Sequence, residues 1–282
     1  MKLCRYGRAG YEKPGLVDAD GRVRDLSKIV DDIGPNEISP RGLNMLTKHK
    51  PESLPLVNAA PRFGVPYVGI GKFVAIGLNY SDHAKEAGLP IPSEPIVFMK
   101  ATTCINGPHD DVIQPKNSTK LDWEVELGVV IGTQARYVEE AAALNHVAGY
   151  CVVNDVSERA FQMATSQWDK GKGFDSAGPI GPWLVTSDEI RDPQNLDMWL
   201  DVNGKRMQTG NTRTMIFNVA KIISHVSHYM TLLPGDIIAT GTPPGVGLGI
   251  KPTPVFLKPG DVMTLRIQGL GEQRQKVVAY AV

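Results

Sequence analysis

Cysteine is scarce in this chain. Cys4, Cys104 and Cys151 stand far apart, are odd in number and fall outside any C-x-x-C spacing, which excludes a disulfide framework and argues against a thiolate zinc site. Net charge is missing too. Thirty basic side chains balance thirty acidic ones, so no broad field draws in nucleic acid, anionic lipid or a polyacidic partner. No apolar run approaches the roughly 18 residues that span a bilayer, and the start, MKLCRYGRAG, lacks the roughly 7 to 15 apolar residues of an export signal. These absences predict a protein of a reducing cytoplasm with a small neutral or singly charged ligand, and with neither nucleic acid nor membrane as partner. Nucleotide signatures are also wanting. VGIGKFVAIG does not carry the G-x-G-x-x-G spacing, and GTPPGVGLGI lacks the Lys-Ser or Lys-Thr of a phosphate-binding P-loop. The latter segment can still form a tight loop whose backbone N–H groups and Thr242 hydroxyl face an anionic substrate. No H-x-x-x-H spacing occurs among the 6 histidines. His225 and His228 lie on an amphipathic pattern and read as surface or core packing.

What is present is enough apolar residue, 42% of 282, to bury a full core in one large domain or in one large and one small. Residues 1 to about 27 read as short strands, KLCRYG, PGLVD and RVRDLS, with a turn at Asp18-Ala19-Asp20-Gly21. Prolines 51, 55, 61 and 66 make the following segment a linker or extended strap, and residues 1–69 are expected as a small β-rich domain ahead of a catalytic domain at 70–282. Beyond it the β-prone segments are KFVAIGLNY, PIVFMK, WEVELGVVIG, AGYCVVND, GPWLVTS, DMWLDVNG, GDIIATG and DVMTLRIQG. Helical patterns are fewer, at Ser81–Ala87, Val138–Asn145, Ser157–Trp168 and Thr214–Met230. Two near-identical turns, Leu233-Pro234-Gly235-Asp236 and Lys258-Pro259-Gly260-Asp261, suit type II geometry and lead into strands. Strands outnumber helices without βαβ alternation, which predicts an α+β, mainly β, largely antiparallel fold.

The stretch LDWEVELGVVIG places two acids in an apolar run. In a strand, Glu124 and Glu126 share one face, with Cβ atoms roughly 6 to 7 Å apart, while Trp123, Val125, Leu127, Val129 and Ile131 share the other. That pattern is either the wet face of a strand or a pair of carboxylates converging on a hard cation such as Mg²⁺, which takes oxygen ligands. A third oxygen ligand is offered by Asp155, where the run AGYCVVND ends. Its other role is to cap, alone or with Ser157, the expected helix bearing Arg159 and Gln162.

GLNYSDHAKEAGLP supplies a different grouping. Ser81 or Asp82 can cap a short helical turn that Gly88 ends, and His83 and Glu86 then share a face at i, i+3. A carboxylate beside an imidazole raises its basicity and suits a general base acting on water. An exposed polar mini-helix has the same pattern. In KGKGFD, Lys170 and Lys172 belong either to a solvated loop or to an arm that brings an ammonium to the site.

In order along the chain, GLNYSDHAKE, LDWEVELGVVIG, GYCVVNDVSER, KGKGFDSAGPIGP and TGTPPGVG resemble the fumarylacetoacetate hydrolase family from about residue 70 to the end. The resemblance implies a mixed β-roll with a small N-terminal domain, a homodimer or higher homo-oligomer, and Mg²⁺ or Mn²⁺ held by Glu124, Glu126 and Asp155. It further implies His83 with Glu86 as a base dyad on a lid, and Lys172, Arg159, Gln162 and Thr242 as residues that meet substrate or a developing oxyanion. KLCRYG and KPGLVD look like the bacterial branch of 2,4-diketo-3-deoxy-L-rhamnonate or L-fuconate hydrolases, whose members also carry the label ureidoglycolate lyase. The expected reaction is metal-dependent hydrolysis of the C3–C4 bond of a 2,4-diketo acid to pyruvate and a small acid such as lactate. Alternatives on the same site are an acylpyruvate hydrolase, a ureidoglycolate lyase, an oxaloacetate decarboxylase or an isomerase. A metal-stabilised binding protein would leave His83, Glu86 and Lys172 unexplained together.

Overall fold

The computed structural model describes residues 1–58 and 60–281. The chain opens with β1 (Lys2–Tyr6), β2 (Lys13–Val17), β3 (Val23–Asp25) and helix α1 (Pro40–Leu46). Then come β4 (Phe73–Gly77), α2 (Ser81–Ala87), β5 (Ile96–Lys100), β6 (Ile105–Asn106), β7 (Val112–Gln114), β8 (Leu121–Asp122) and β9 (Val125–Ile131). The middle holds β10 (Val147–Asn154), β11 (Ser157–Glu158), α3 (Arg159–Gln162), α4 (Asp169–Lys172) and β12 (Gly178–Thr186). The last part is β13 (Asp197–Val202), β14 (Lys205–Asn211), α5 (Val219–Tyr229), β15 (Ile237–Ala239), β16 (Val262–Ile267) and β17 (Gly271–Ala279).

Two large sheets and a two-stranded one, β11-β8, organise these strands. The larger has ten, in the order β3-β2-β1-β12-β10-β9-β15-β4-β5 with β6 beside β12; the smaller has five, β14-β13-β16-β17-β7. Most pairings are antiparallel, and strands outnumber helices as the sequence predicts. One hydrophobic core lies between the sheets, joining Val125, Leu127 and Val152 of the large sheet to Met198, Leu265 and Ile267 of the small one. Buried amides stitch the layers: Gln273 donates to the Val152 carbonyl (2.8 Å), and Asn154 donates to Gln275 Oε1 (3.1 Å). β1 pairs with β12, and Leu3, Leu16 and Leu26 belong to the same core as Val129. Residues before 70 therefore extend the large sheet by three strands. The proline-rich strap lies across them, with Phe63 bridged to Tyr6 and Leu56 to Arg24.

Local chemistry explains most boundaries. α5 starts at Val219, later than the periodicity suggests, because Asn218 caps it by accepting from the Lys221 N–H (2.8 Å). The pattern at Val138–Asn145 becomes a 3₁₀ segment, Glu140–His146. The Ser157–Trp168 pattern does not form one helix: residues 157–158 pair with β8, and only Arg159–Gln162 coil. Glu158 rather than Asp155 or Ser157 caps that turn, accepting from the Phe161 N–H (2.7 Å) while its other oxygen takes the Thr119 and Lys120 N–H groups. Both Pro-Gly-Asp turns hold Gly at positive φ (Gly235 93°, Gly260 99°) and close with an N–H to carbonyl bond of 3.0 Å, as type II turns require. Among the described residues no helix is long and apolar enough to cross a membrane.

Candidate active site

The acidic triad follows from strand register. In the β9–β10 ladder Val125 faces Asn154 and Glu126 faces Val153, so the residue after β10, Asp155, arrives beside Glu124 and Glu126. The Asp155 N–H donates to the Glu124 carbonyl (2.9 Å) and fixes this corner. Residues 123–124 leave the ladder between β8 and β9, and side chains take over for the missing backbone partners: Asn154 Oδ1 accepts from the Glu124 N–H (3.2 Å), and Gln208 Oε1 from the Val125 N–H (3.0 Å). Ligand oxygens of Glu124, Glu126 and Asp155 lie within 4.8 Å of one another. Of the two readings of the alternation, the wet face is absent: β9 is buried along its whole length, and Glu124 and Glu126 are 6% and 2% exposed. The face opposite the core belongs to a closed site.

Carboxylates in such a place need partners. Lys172 Nζ donates to Glu124 Oε2 (2.7 Å) and Asp155 Oδ2 (2.8 Å), and Lys100 Nζ donates to Asp155 Oδ1 (2.5 Å) and to the Lys172 carbonyl. Arg159 spends its fork on Asp122 Oδ2 (2.8 Å), Gln162 Oε1 (3.0 Å) and Glu124 Oε1 (2.6 Å). Burial works against ionising Glu124, but Lys172 and Arg159 outweigh it and hold its pKa down at about 2. Burial likewise opposes the Lys172 ammonium, yet Asp155 and Glu124 keep its pKa above the ordinary value, so Lys172 stands as a charged hydrogen-bond donor.

Glu126 is the exception. Its Oε2 accepts the Gly241 N–H (2.8 Å), and it forms no ion pair among the described residues. Burial, then Asp155 and Glu124, push its pKa well above the ordinary value. An all-oxygen donor set with one carboxylate left without a cation fits Mg²⁺ or Mn²⁺.

The second grouping faces this floor. His83 Nδ1 lies 3.2 Å from Glu86 Oε2 on α2, whose end is marked by Gly88 at φ 67°. No side chain caps the start of α2, where Tyr80 stands; Asp82 accepts instead from Thr214 Oγ1 (3.3 Å). Glu86 is oriented by the Gly245 N–H (3.1 Å). That loop is held in turn by Asp122, which accepts from the Gly247 (2.6 Å) and Leu248 (3.0 Å) N–H groups.

His83, Glu86, Glu124, Glu126, Asp155, Arg159, Gln162, Lys172 and Thr242 all line one cavity of about 810 Å³. Of the two lysines in KGKGFD, Lys172 is buried there and Lys170 is exposed. Thr242 lines the cavity but donates its hydroxyl to the Val125 carbonyl (2.9 Å) and accepts from Gln208 (2.8 Å). Its side chain thus positions the loop, and Arg159 positions Glu124. Sequence reasoning missed Lys100 and Asp122. Asp122 was available as the first acid of an alternating D-x-E-x-E, and Lys100 as a charge closing an apolar strand.

Residues 72–278 match the family model described as fumarylacetoacetate (FAA) hydrolase C-terminal. A protein of Burkholderia ambifaria, named as a hydrolase without a substrate, is 61% identical over 276 residues, 98% of each chain. The solved fumarylacetoacetate hydrolase of psychrophilic Exiguobacterium antarcticum is 36% identical with a TM-score of 0.89, covering 99% of this chain and 100% of that one. Maleylpyruvate hydrolase of Sphingobium sp. SYK-6, solved in complex with manganese (II) ion and pyruvate, is 28% identical with a TM-score of 0.82 and full coverage of both chains. With its motifs in order, its acidic triad closed by strand register and its matches spanning the chain, this protein is a member of the fumarylacetoacetate hydrolase family.

Proposed function

We propose that this enzyme hydrolyses the C3–C4 bond of a 2,4-diketo acid, giving pyruvate and a small acid. The observation that carries the reading is the opening of the acidic triad and the His83–Glu86 pair onto one cavity. The manganese and pyruvate held by the maleylpyruvate hydrolase relative support it. Glu124, Glu126 and Asp155 would hold Mg²⁺ or Mn²⁺, which when bound supplies positive charge for a 2-oxo acid and for the negative charge that develops on it.

The chain's own residues do the rest. His83, oriented by Glu86, takes a proton from water as its oxygen adds to the C4 carbonyl. Lys172 Nζ, protonated and aimed at the floor, donates a hydrogen bond to the oxyanion side. When the C3–C4 bond breaks, its electron pair goes to C3, the acyl carbon keeps the water oxygen, and the proton that His83 took from water is returned to C3 to complete pyruvate. Arg159 and Lys100 move no proton; they hold Glu124 and Asp155 in place. The narrower expectation, a 2,4-diketo-3-deoxy sugar acid that yields lactate, differs from a plain acylpyruvate only in the group on C4.

The test is pyruvate release from Mg²⁺-loaded protein given acylpyruvates and diketo sugar acids, run in ¹⁸O-water. Pyruvate together with label in the released acid is expected. Product formation without label would replace hydrolysis by decarboxylation or isomerisation, and no pyruvate from any member would overturn the reading.

A further inference from the structure

Along β5, residues 96, 98 and 100 share one face. Lys100 ends that row in the charged floor, bonded to Asp155. Phe98 stands one step outward and Ile96 another, so a single strand runs from the ionic end of the cavity to an apolar wall. Lys172 Nζ, 5.3 Å from the centre of the Phe98 ring, marks the junction.

Trp168 completes the wall. Its indole meets Phe98 edge-on, with ring centroids 5.3 Å apart at 65°, and it rests on Gly77 of β4, the residue that pairs with Ile96. A Cβ at position 77 would fall 2.5 Å from the indole, so glycine is what lets the ring lie there. The same cavity is lined by Leu89, Met163 and Leu248, which are 53%, 70% and 37% exposed. Apolar side chains left in water around one concave site mark a binding surface. Among the charged and hydroxyl groups of the ionic end, Arg159 is bonded three times, Lys172 twice and Thr242 through its hydroxyl, while Gln162 uses its Oε1 on Arg159. Against the wall itself the polar side-chain groups are the Trp168 indole N–H and the exposed Lys251, which lines the same cavity. A chain of hydroxyls would lose water there and gain little in return.

We infer that the group on C4 of the substrate is alkyl or aryl, not hydroxylated, and packs on the Phe98–Trp168 wall; this rests on the hydrolase reading of the same cavity. Acetyl-, butanoyl- and benzoylpyruvate, with a hydroxylated 2,4-diketo acid, form the test series. Each methylene added raises kcat/KM about fourfold, or about fifteenfold from acetyl to butanoyl, and the hydroxylated acid falls below butanoylpyruvate. Trp168→Ala shrinks the butanoyl-to-acetyl ratio, and Gly77→Ala, which pushes the indole away, does the same. A ratio taken within one variant does not depend on how much of it is folded. Pyruvate release that ignores chain length, or favours the hydroxylated acid, overturns the apolar subsite and leaves the hydrolase intact. No pyruvate from any member removes the hydrolase reading. The wall is then judged by tryptophan-fluorescence titration with pyruvate and 2-oxooctanoate: tighter binding of the longer acid that Trp168→Ala abolishes sustains it, and equal binding removes it.

Discussion

The floor of the cavity and the turn that faces it carry comparable chemistry on different supports. Glu124, Glu126 and Asp155 sit on or beside two central strands, buried, with Lys100, Lys172 and Arg159 each bonded to at least one of them. His83 and Glu86 ride a seven-residue helix tied to the body chiefly by Gly245 on Glu86 and Thr214 on Asp82. The difference has a physical reason. Buried charges must be preset, because displacing one partner leaves another unpaired in a dry interior. A base that meets water and substrate gains from a support that can shift for only a few hydrogen bonds.

The largest expected effect strikes the rigid side. Glu126→Ala removes the one floor carboxylate without a cationic partner, so Mg²⁺-dependent pyruvate release falls below detection. Calorimetric Mg²⁺ affinity drops by more than about a hundredfold, since losing even a supporting partner of a ligand costs about 10- to 100-fold. Unchanged Mg²⁺ affinity would mean that the floor is only a structural ion cluster. On the movable side, His83→Ala lowers kcat by about a hundred- to ten-thousand-fold, with Mg²⁺ affinity and melting temperature as in the parent. If His83→Ala weakened Mg²⁺ binding as strongly, the two regions would not be separable.

The two regions were also unequally legible. Alternation in LDWEVELG placed Glu124 and Glu126 on one face, and the i, i+3 spacing placed Glu86 under His83, because both depend only on local geometry. Whether that strand face was wet or closed could not be read locally: the cover comes from Lys100, Lys172 and Arg159, elsewhere in the chain. β17 escaped for a related reason. Its inward residues include Gln273 and Gln275, which bond to Val152 and Asn154 of β10, so its strand period shows no apolar alternation. The Ser157–Trp168 pattern misled because Arg159 and Gln162 face the site and Glu158 serves as a hub for β8. Ordered motifs identified the family where no single residue did.

Next in size is the partner that sequence reasoning missed. Lys100→Met leaves Asp155 with one cation fewer at a position where the lysine is 2% exposed, and removing one member of a buried pair costs about 3–5 kcal/mol. Lys85→Met, on the exposed side of α2, changes stability by less than about 0.5 kcal/mol. Urea unfolding of both checks the contrast. Equal losses would show that α2 is as tightly integrated as the floor.

The smallest effect tests the floor against ions of the same kind at the far edge of the large sheet. In the β2–β3 turn, Asp18 accepts from the Asp20 (3.0 Å) and Arg22 (2.9 Å) N–H groups and from the Arg24 guanidinium (2.8 Å). Burial opposes ionisation, but the Arg22 N–H and the Arg24 guanidinium prevail and hold the pKa at about 2, below the ordinary 3.8. A carboxylate whose folded pKa is depressed contributes stability that is fully present above 3.8 and is lost as pH falls toward 2. Asp18→Asn should therefore lower the melting temperature at neutral pH, and the gap to the parent should close across that acid window. The gap should stay smaller than that of Lys100→Met, because asparagine keeps an acceptor oxygen for Arg24 and the half-exposed Arg22 is screened by solvent. A gap that persists undiminished at pH 2 would mean that Asp18 acts through shape and not through charge, unlike the floor it is measured against.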